Sequence, residues 1–389
     1  MAKPMATTTQ IPLSQPDITQ REIDAVVATL RTPHLSLGPR LPEFEQRFAA
    51  YVGTRHAVAL SSGTCALHLC VRALEIGAGD EVITTPFSFV ASANCALFER
   101  ATPVFVDIDP VTLNLDVARI AAAITPRTKA ILPVHVFGLP ADMAAILRLA
   151  RAHGLAVIED ACEALGARID GVCAGGLGDC GTFGFYPNKQ MTTGEGGMLV
   201  TNRDDIARLA LSMRNQGRDD GMGWLSHARL GYNYRLSDIN CALGIAQLER
   251  IDEMLAARAQ VAAWYDEALA VQAPTMVRPA APPAGMTRSW FVYVVQLPMG
   301  YVEAQRNALI TQLRGQGIGC NQYFPCIHLQ PLYHEQFGCG PGMFPVTESV
   351  SARSIALPFY NRLPRADVQQ VVAALTAWLK QNAPAEQCG

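Results

Sequence analysis

Lysine is scarce in this chain. Of 31 basic residues only Lys3, Lys129, Lys189 and Lys380 are lysines, and arginine supplies the rest. Charged residues make up only 17% of the sequence and nearly balance, at a formal −3. That leaves no electrostatic case for nucleic acid or an anionic membrane as a partner. No apolar run reaches the length needed to span a bilayer, and residues 1–10 lack the apolar core of a signal peptide. The 11 cysteines are an odd number and contain no Cys-x-x-Cys pair. Cys70, Cys95 and Cys241 fall in apolar runs, where free cysteine behaves as a small hydrophobe. A disulfide framework and a zinc site are thereby disfavoured, no metal is expected, and a reducing cytoplasm is. Internal repeats and low-complexity tracts are also absent.

What the chain does have is core. Half of its 389 residues are hydrophobic, enough for two domains burying roughly three quarters of the unfolded-chain surface. Residues 18–31 and 40–52 read as amphipathic helices. From residue 56 short apolar runs (57–60, 81–85, 103–106, 130–134, 155–158) alternate with helical stretches (64–75, 89–99, 116–123, 142–153). That alternation predicts an α/β fold with a mostly parallel sheet covered by helices. A strand-rich stretch over 182–201 and a helix at about 204–213 follow. Residues 237–270 read as helical almost throughout, long enough to bridge domains. Beyond the proline-rich stretch 274–283, a strand (289–297), a helix (302–316), a strand (354–358) and a helix (365–380) predict a smaller α/β domain. The expected division is a large domain over 1–245 and a smaller C-terminal one over 246–389.

Lys189 is the lysine whose surroundings suggest chemistry. Lys3 lies in a polar tail, Lys380 at the edge of a helical pattern, and Lys129 at what reads as a solvated strand end. Lys189 instead follows Tyr186-Pro187-Asn188 and precedes Gly194, Gly196 and Gly197, glycines that let backbone approach a ligand closely. An apolar site favours the neutral amine, which can form a Schiff base with a carbonyl. In open α/β sheets ligands bind beyond the carboxyl ends of the strands, and four such ends are suggestive. Ser62-Gly63-Thr64-Cys65 opens a helix, as a phosphate cup or as an ordinary N-cap. Phe87 and Phe89 could stack on a planar ring or pack in the core. Glu159-Asp160 ends a strand in carboxylates, which need a cationic partner if buried; a helix N-cap is the other reading of Asp160. Gly231-Tyr-Asn-Tyr-Arg235 precedes the long helix, where Asn233 and Arg235 serve a ligand, a subunit contact or only a capping loop. Gly176-Leu-Gly-Asp-Cys-Gly181 matches a dinucleotide fingerprint letter for letter, but it lacks the strand before it and the helix after it that the fingerprint requires. A Schiff-base lysine, an aspartate for a pyridinium nitrogen, a stacking aromatic and a phosphate cup together are the parts pyridoxal 5′-phosphate needs.

These motifs make the chain resemble the DegT/DnrJ/EryC1/StrS sugar aminotransferases, which have the aspartate-aminotransferase fold (type I). The resemblance runs from about Ile11 to the C-terminal helix. It rests on Ser62-Gly63-Thr64, Thr85-Pro86-Phe87, Ile158-Glu159-Asp160-Ala161, Asn188-Lys189 with Gly194-Glu195-Gly196-Gly197, and Gly231-Tyr232-Asn233-Tyr234-Arg235. It implies that Lys189 carries pyridoxal 5′-phosphate and that Asp160 pairs with its ring nitrogen. Phe89 would stack on the ring, Gly63, Thr64 and the Cys65 amide would bind phosphate, and Asn233 would reach the phosphate of a second subunit in a homodimer with shared sites. Arg235, His328 and Tyr323 are candidate substrate contacts. Two departures stand out. Glu163 replaces the glutamine or histidine common beside the cofactor's phenolic oxygen, and Gly184 replaces a serine that often binds phosphate. The stretches 289–293 and 323–331 are most similar to perosamine-synthase-type enzymes. The implied reaction transfers an amino group, with glutamate as donor, to a nucleotide-linked 4-keto-6-deoxyhexose in polysaccharide or O-antigen biosynthesis. A keto-cyclitol aminotransferase and a non-catalytic regulator of the same fold are the alternatives. A sugar dehydratase of this fold would carry histidine in place of Lys189.

Overall fold

The computed structural model describes residues 11–223 and 225–382; Lys3 lies outside them. Its centre is a seven-stranded sheet in the order His56–Leu60, Gly197–Thr201, Cys180–Gly184, Ala156–Asp160, Thr128–Ile131, Glu81–Thr84, Thr102–Phe105. Six strands run parallel, and Gly197–Thr201 alone runs against its two neighbours. The central strands read as unbroken buried runs, such as Glu81–Thr84, because helices cover both faces. Four crossover helices, Gly63–Ala73, Ala91–Phe98, Val117–Ala123 and Met143–His153, and the helix Asp204–Arg214 after the last strand lie close to their expected spans. The mostly parallel α/β reading therefore holds. Parallel strands put their carboxyl ends at one edge, so Leu60, Thr84, Asp160 and Gly184 end side by side. The reversed strand brings its first residue, Gly197, to that same edge opposite Gly184.

The helix expected over 237–270 is two helices, Asp238–Leu248 and Ile251–Gln272. The break falls at Arg250, whose side chain is drawn into ion pairs with Glu22 (3.0 Å) and Asp17 (3.4 Å). Neither proline nor glycine marks that break in the sequence. Toward the C-terminus Tyr293–Gln296 pairs antiparallel with Ser354–Leu357. Helices Ile251–Gln272, Glu303–Gly315 and Arg365–Gln381 enclose this pair around a core that includes Tyr265, Tyr293, Leu309, Val371 and Trp378. Two short helices, Pro331–Phe337 and Pro345–Arg353, were not expected. Each begins with the proline that suits a first helical turn. No described helix is long and apolar enough to cross a membrane.

Candidate active site

Lys189 stands on an arch. Residues 185–196 leave the sheet after Gly184 and return at Gly197, and those two glycines pair across the ladder. Phe185 anchors one foot: its amide donates to the Gly196 carbonyl at 2.9 Å, and its carbonyl accepts from the Thr193 amide at 3.0 Å. The Phe185 ring is fully buried against Phe44 and Phe48. The second foot admits only glycine, since a β-carbon on Gly197 would come within 2.3 Å of the Ser62 carbonyl carbon. Held this way, the Lys189 ammonium lies 3.8 Å from the centroid of the Phe291 ring and 3.8 Å from Oε1 of Glu163. Arg258 fixes the backbone beneath it, donating to the Lys189 carbonyl at 2.9 Å.

Asp160 ends the central strand and is buried. Ser92 Oγ donates to its Oδ2 at 2.7 Å and the Cys162 amide to its Oδ1 at 3.1 Å. Among the described residues no cation of the chain pairs with it. The adjacent Glu159 faces the other way and is also buried. It accepts the amides of Gly175 (2.8 Å), Leu177 and Gly178 (both 2.6 Å), and it bonds His135 Nε2 at 3.0 Å. The glycine-rich loop that imitates a dinucleotide fingerprint thus spends its amides on the chain's own carboxylate. His135 Nδ1 accepts the Ala141 amide at 3.0 Å, so Nε2 carries the hydrogen toward Glu159.

Glu163 sits between these groups. Its Oε2 accepts the Phe137 amide at 3.0 Å, and Phe137 itself adopts a left-handed φ of 52°. Burial raises the Glu163 carboxyl to about 7, with the Lys189 charge opposing and Asp160 adding to the rise. A group poised there can exchange a proton with its surroundings near neutrality.

These side chains open into a cavity of about 460 Å³ lined by Ser62, Gly63, Thr64, Phe89, Asp160, Glu163, Asn188, Lys189 and Tyr323, among others. The amides of Gly63 and Thr64 open an 11-residue helix and have no acceptor within it. The Cys65 amide is different: it donates to Ser62 Oγ at 3.1 Å. That N-cap bond engages the donor expected for phosphate and leaves the Gly63 and Thr64 amides unpaired. Phe89 is 62% exposed at the mouth. Asn188 and Tyr323 face each other across the cavity at 3.4 Å, and Asn188 Oδ1 is buried without a partner. A buried carboxylate lacking a counter-ion, an amine, unpaired helix amides and an exposed ring fit the pyridine nitrogen, aldehyde, phosphate and ring face of pyridoxal 5′-phosphate. Among the described residues no cluster of three or more His, Cys, Asp or Glu is placed to hold a metal.

Three expected residues lie elsewhere. Asn233 is exposed and bridges to Asn215. Arg235 donates to Asn215 Oδ1 at 3.0 Å. Neither lines the cavity. His328 corrects the expectation of a substrate contact: it is fully buried, bonds Glu348 at 3.1 Å and packs edge-on against Phe344. Glu348 in turn accepts the Gly342 and Phe344 amides, so His328 braces the turn before helix Pro345–Arg353. Ser92, Phe291 and Asn188 were missed as site residues. Only Asn188 carried a signal, its place beside Lys189.

Residues 16–376 match the DegT/DnrJ/EryC1/StrS aminotransferase family. The chain is 42% identical over 367 residues to GDP-perosamine synthase of Caulobacter vibrioides, covering 94% of this chain and 97% of that protein. It is 38% identical over 375 residues to the spore coat polysaccharide biosynthesis protein SpsC of Bacillus subtilis, covering 94% and 96%. Among solved structures, the PLP form of Spr1654 from Streptococcus pneumoniae superposes with a TM-score of 0.89 at 28% identity, covering 95% and 99%.

Proposed function

The chain belongs to the DegT/DnrJ/EryC1/StrS aminotransferase family, and from that premise we propose that it uses pyridoxal 5′-phosphate to aminate a nucleotide-linked 4-keto-6-deoxyhexose, with L-glutamate as donor. It is an aminotransferase acting on a sugar; the cofactor, donor, nucleotide and ring position are the proposal. The observation that carries it is the meeting of Lys189, Asp160 and Glu163 in one cavity at the carboxyl edge of the sheet. When bound, the cofactor supplies a carbonyl for the amine and a ring that accepts an electron pair. The chain supplies the rest. Asp160 holds a positive charge at the ring nitrogen, and Ser92 fixes the carboxylate that does so. The Gly63 and Thr64 amides bind phosphate at the positive end of their helix. Phe89 covers the ring face and excludes water. Lys189, once free as an amine, takes the donor's α-proton and later returns one to the sugar carbon. Asn233, exposed and outside this chain's cavity, completes the cup of a second subunit, which makes the enzyme a homodimer with shared sites. The accompanying division is a large domain over 1–245 and a smaller one over 246–389.

Borohydride reduction of the purified protein, followed by peptide mapping, tests the assignment. The cofactor should be fixed to the peptide containing Lys189, and Lys189→Ala should lose both the label and turnover. Label on Lys129 would refute it. The substrate is tested by asking which nucleotide-sugar restores the aldehyde spectrum of enzyme first converted to its amino form by glutamate. Recovery with a keto-cyclitol and with no nucleotide-sugar would overturn the sugar assignment.

A further inference from the structure

A second, smaller cavity of about 170 Å³ lies behind the first, and nothing above assigns it a role. Its wall is the other face of the strand that serves Lys189. Along residues 288–296, Phe291 turns to the Lys189 ammonium, while Trp290, Val292, Val294 and Gln296 line the second cavity. Phe137, whose amide holds Glu163, closes the side toward the active site.

The polar content of this cavity is one-sided. Arg288 lies in it with its guanidinium 4.7 Å from the Trp290 ring. Among the described residues Arg288 meets no hydrogen-bond acceptor and no carboxylate, and its Nε is buried without a partner. Arg278 stands at the rim, and its Nη1 donates weakly to the Asp266 carbonyl at 3.3 Å. The Asp266 carboxylate is occupied by the Tyr293 hydroxyl at 2.6 Å. No aspartate or glutamate lines the cavity. Burial presses the Arg288 pKa down to about 10, against the opposing pull of the Asp266 carboxylate. Arg288 is only partly buried, so an anion entering the cavity can reach its outer nitrogens, and a planar guanidinium is best satisfied by a carboxylate fork.

Size and lining restrict the occupant. A cavity of about 150 Å³ with apolar walls accepts a ring of about six carbon atoms. Valine, proline and aromatic walls beside one arginine suit a short branched hydrocarbon ending in an anion. We propose that this cavity binds a small organic carboxylate of about seven non-hydrogen atoms, its carboxylate on Arg288 and its apolar stem against Val292, Val294 and Phe137. A nucleotide-sugar is far too large for it, so the site is separate from the one that binds substrate.

Isothermal titration of the holoenzyme with 3-methylbutyrate tests the proposal, with inorganic phosphate as a parallel arm. One equivalent of carboxylate should bind per chain. Arg288→Gln should weaken binding at least about tenfold, the scale of one charge-assisted hydrogen bond. Ala280→Phe, which fills the cavity from its partly exposed wall while retaining the Arg288 charge, should abolish binding. Lys189→Ala should leave it unchanged. Absence of saturable binding, indifference to both cavity variants, or loss of binding in Lys189→Ala would overturn the proposal. Binding of phosphate but not of 3-methylbutyrate would overturn the carboxylate assignment. If Arg288→Gln fails to fold, Ala280→Phe decides the question alone.

Discussion

Glu163 makes the stability of the cofactor-free protein depend on pH. Its carboxyl rises from 4.5 to about 7, chiefly through burial, against the opposing charge of Lys189. A carboxyl with a raised folded-state pKa is held protonated by the folded protein, so its contribution is most favourable below about 4.5. That contribution is lost as pH rises through about 7 and is level beyond. The displacement of about 2.5 pH units, at about 1.36 kcal/mol each, amounts to about 3 kcal/mol in all. Of that, about 1.4 kcal/mol falls between about pH 6 and about pH 8.5. A chain of this size unfolds with an entropy of about 0.8 kcal/mol per degree, so the loss is worth about 2 °C in Tm. The perturbation is Glu163→Gln, which removes the titration and keeps the shape. The assay is thermal melting of the cofactor-free protein at both pH values. Wild type should lose about 2 °C more than Glu163→Gln between them. Lys189→Ala should lose more than wild type, because removing the ammonium moves the Glu163 titration upward. Parallel melting curves for wild type and Glu163→Gln would refute the reasoning.

Other outcomes follow from the same geometry. Asp160→Asn should cut turnover at least about a hundredfold with far-ultraviolet dichroism unchanged, since a charged hydrogen-bond partner is lost in a buried place; near-normal turnover would make Asp160 a cap. His328→Ala should lower stability by about 2–4 kcal/mol in denaturant titration while KM for the sugar stays level, because its partner Glu348 is left behind. Gly184→Ser should tighten cofactor binding about tenfold by equilibrium dialysis, as a β-carbon there meets only the Cys162 side chain, Sγ at 3.5 Å and Cβ at 3.6 Å. Mixing Asn233→Ala with Lys189→Ala should restore activity in hybrid dimers, up to about half per hybrid by symmetry; no recovery despite proven subunit exchange would mean each chain builds its own site.

Much of this was legible in the sequence because it depended on local rules. Periodicity located the strands, strand ends pointed to Gly63 and Asp160, since a parallel sheet gathers its carboxyl ends at one edge, and the glycines after it singled out Lys189. What escaped depended on contacts between distant residues. Phe291 meets Lys189 only because a strand from beyond the long helices folds back behind the arch. The break at Arg250 answers to Asp17 and Glu22, over 200 residues away in sequence. At Cys65 the N-cap reading of Ser62-Gly63-Thr64-Cys65 is realised, since Ser62 Oγ accepts the Cys65 amide. His328 lies in a motif that is familiar from the family, but burial against Glu348 and Phe344 gives it a bracing role.

The arch that carries Lys189 has a consequence for exchange of amide hydrogens. Both feet are ladder partners, Gly184 with Gly197, and the Phe185, Lys189 and Thr193 amides are bonded inside the arch. The feet of the arch open only when the central sheet does, so the Phe185 and Thr193 amides should exchange through global unfolding. The segment around Asp219 and Met222, held mainly by turn bonds at the surface, should exchange by local opening, many orders of magnitude sooner. The loop proposed to carry the chemistry would then be tied down at its feet more firmly than that surface segment.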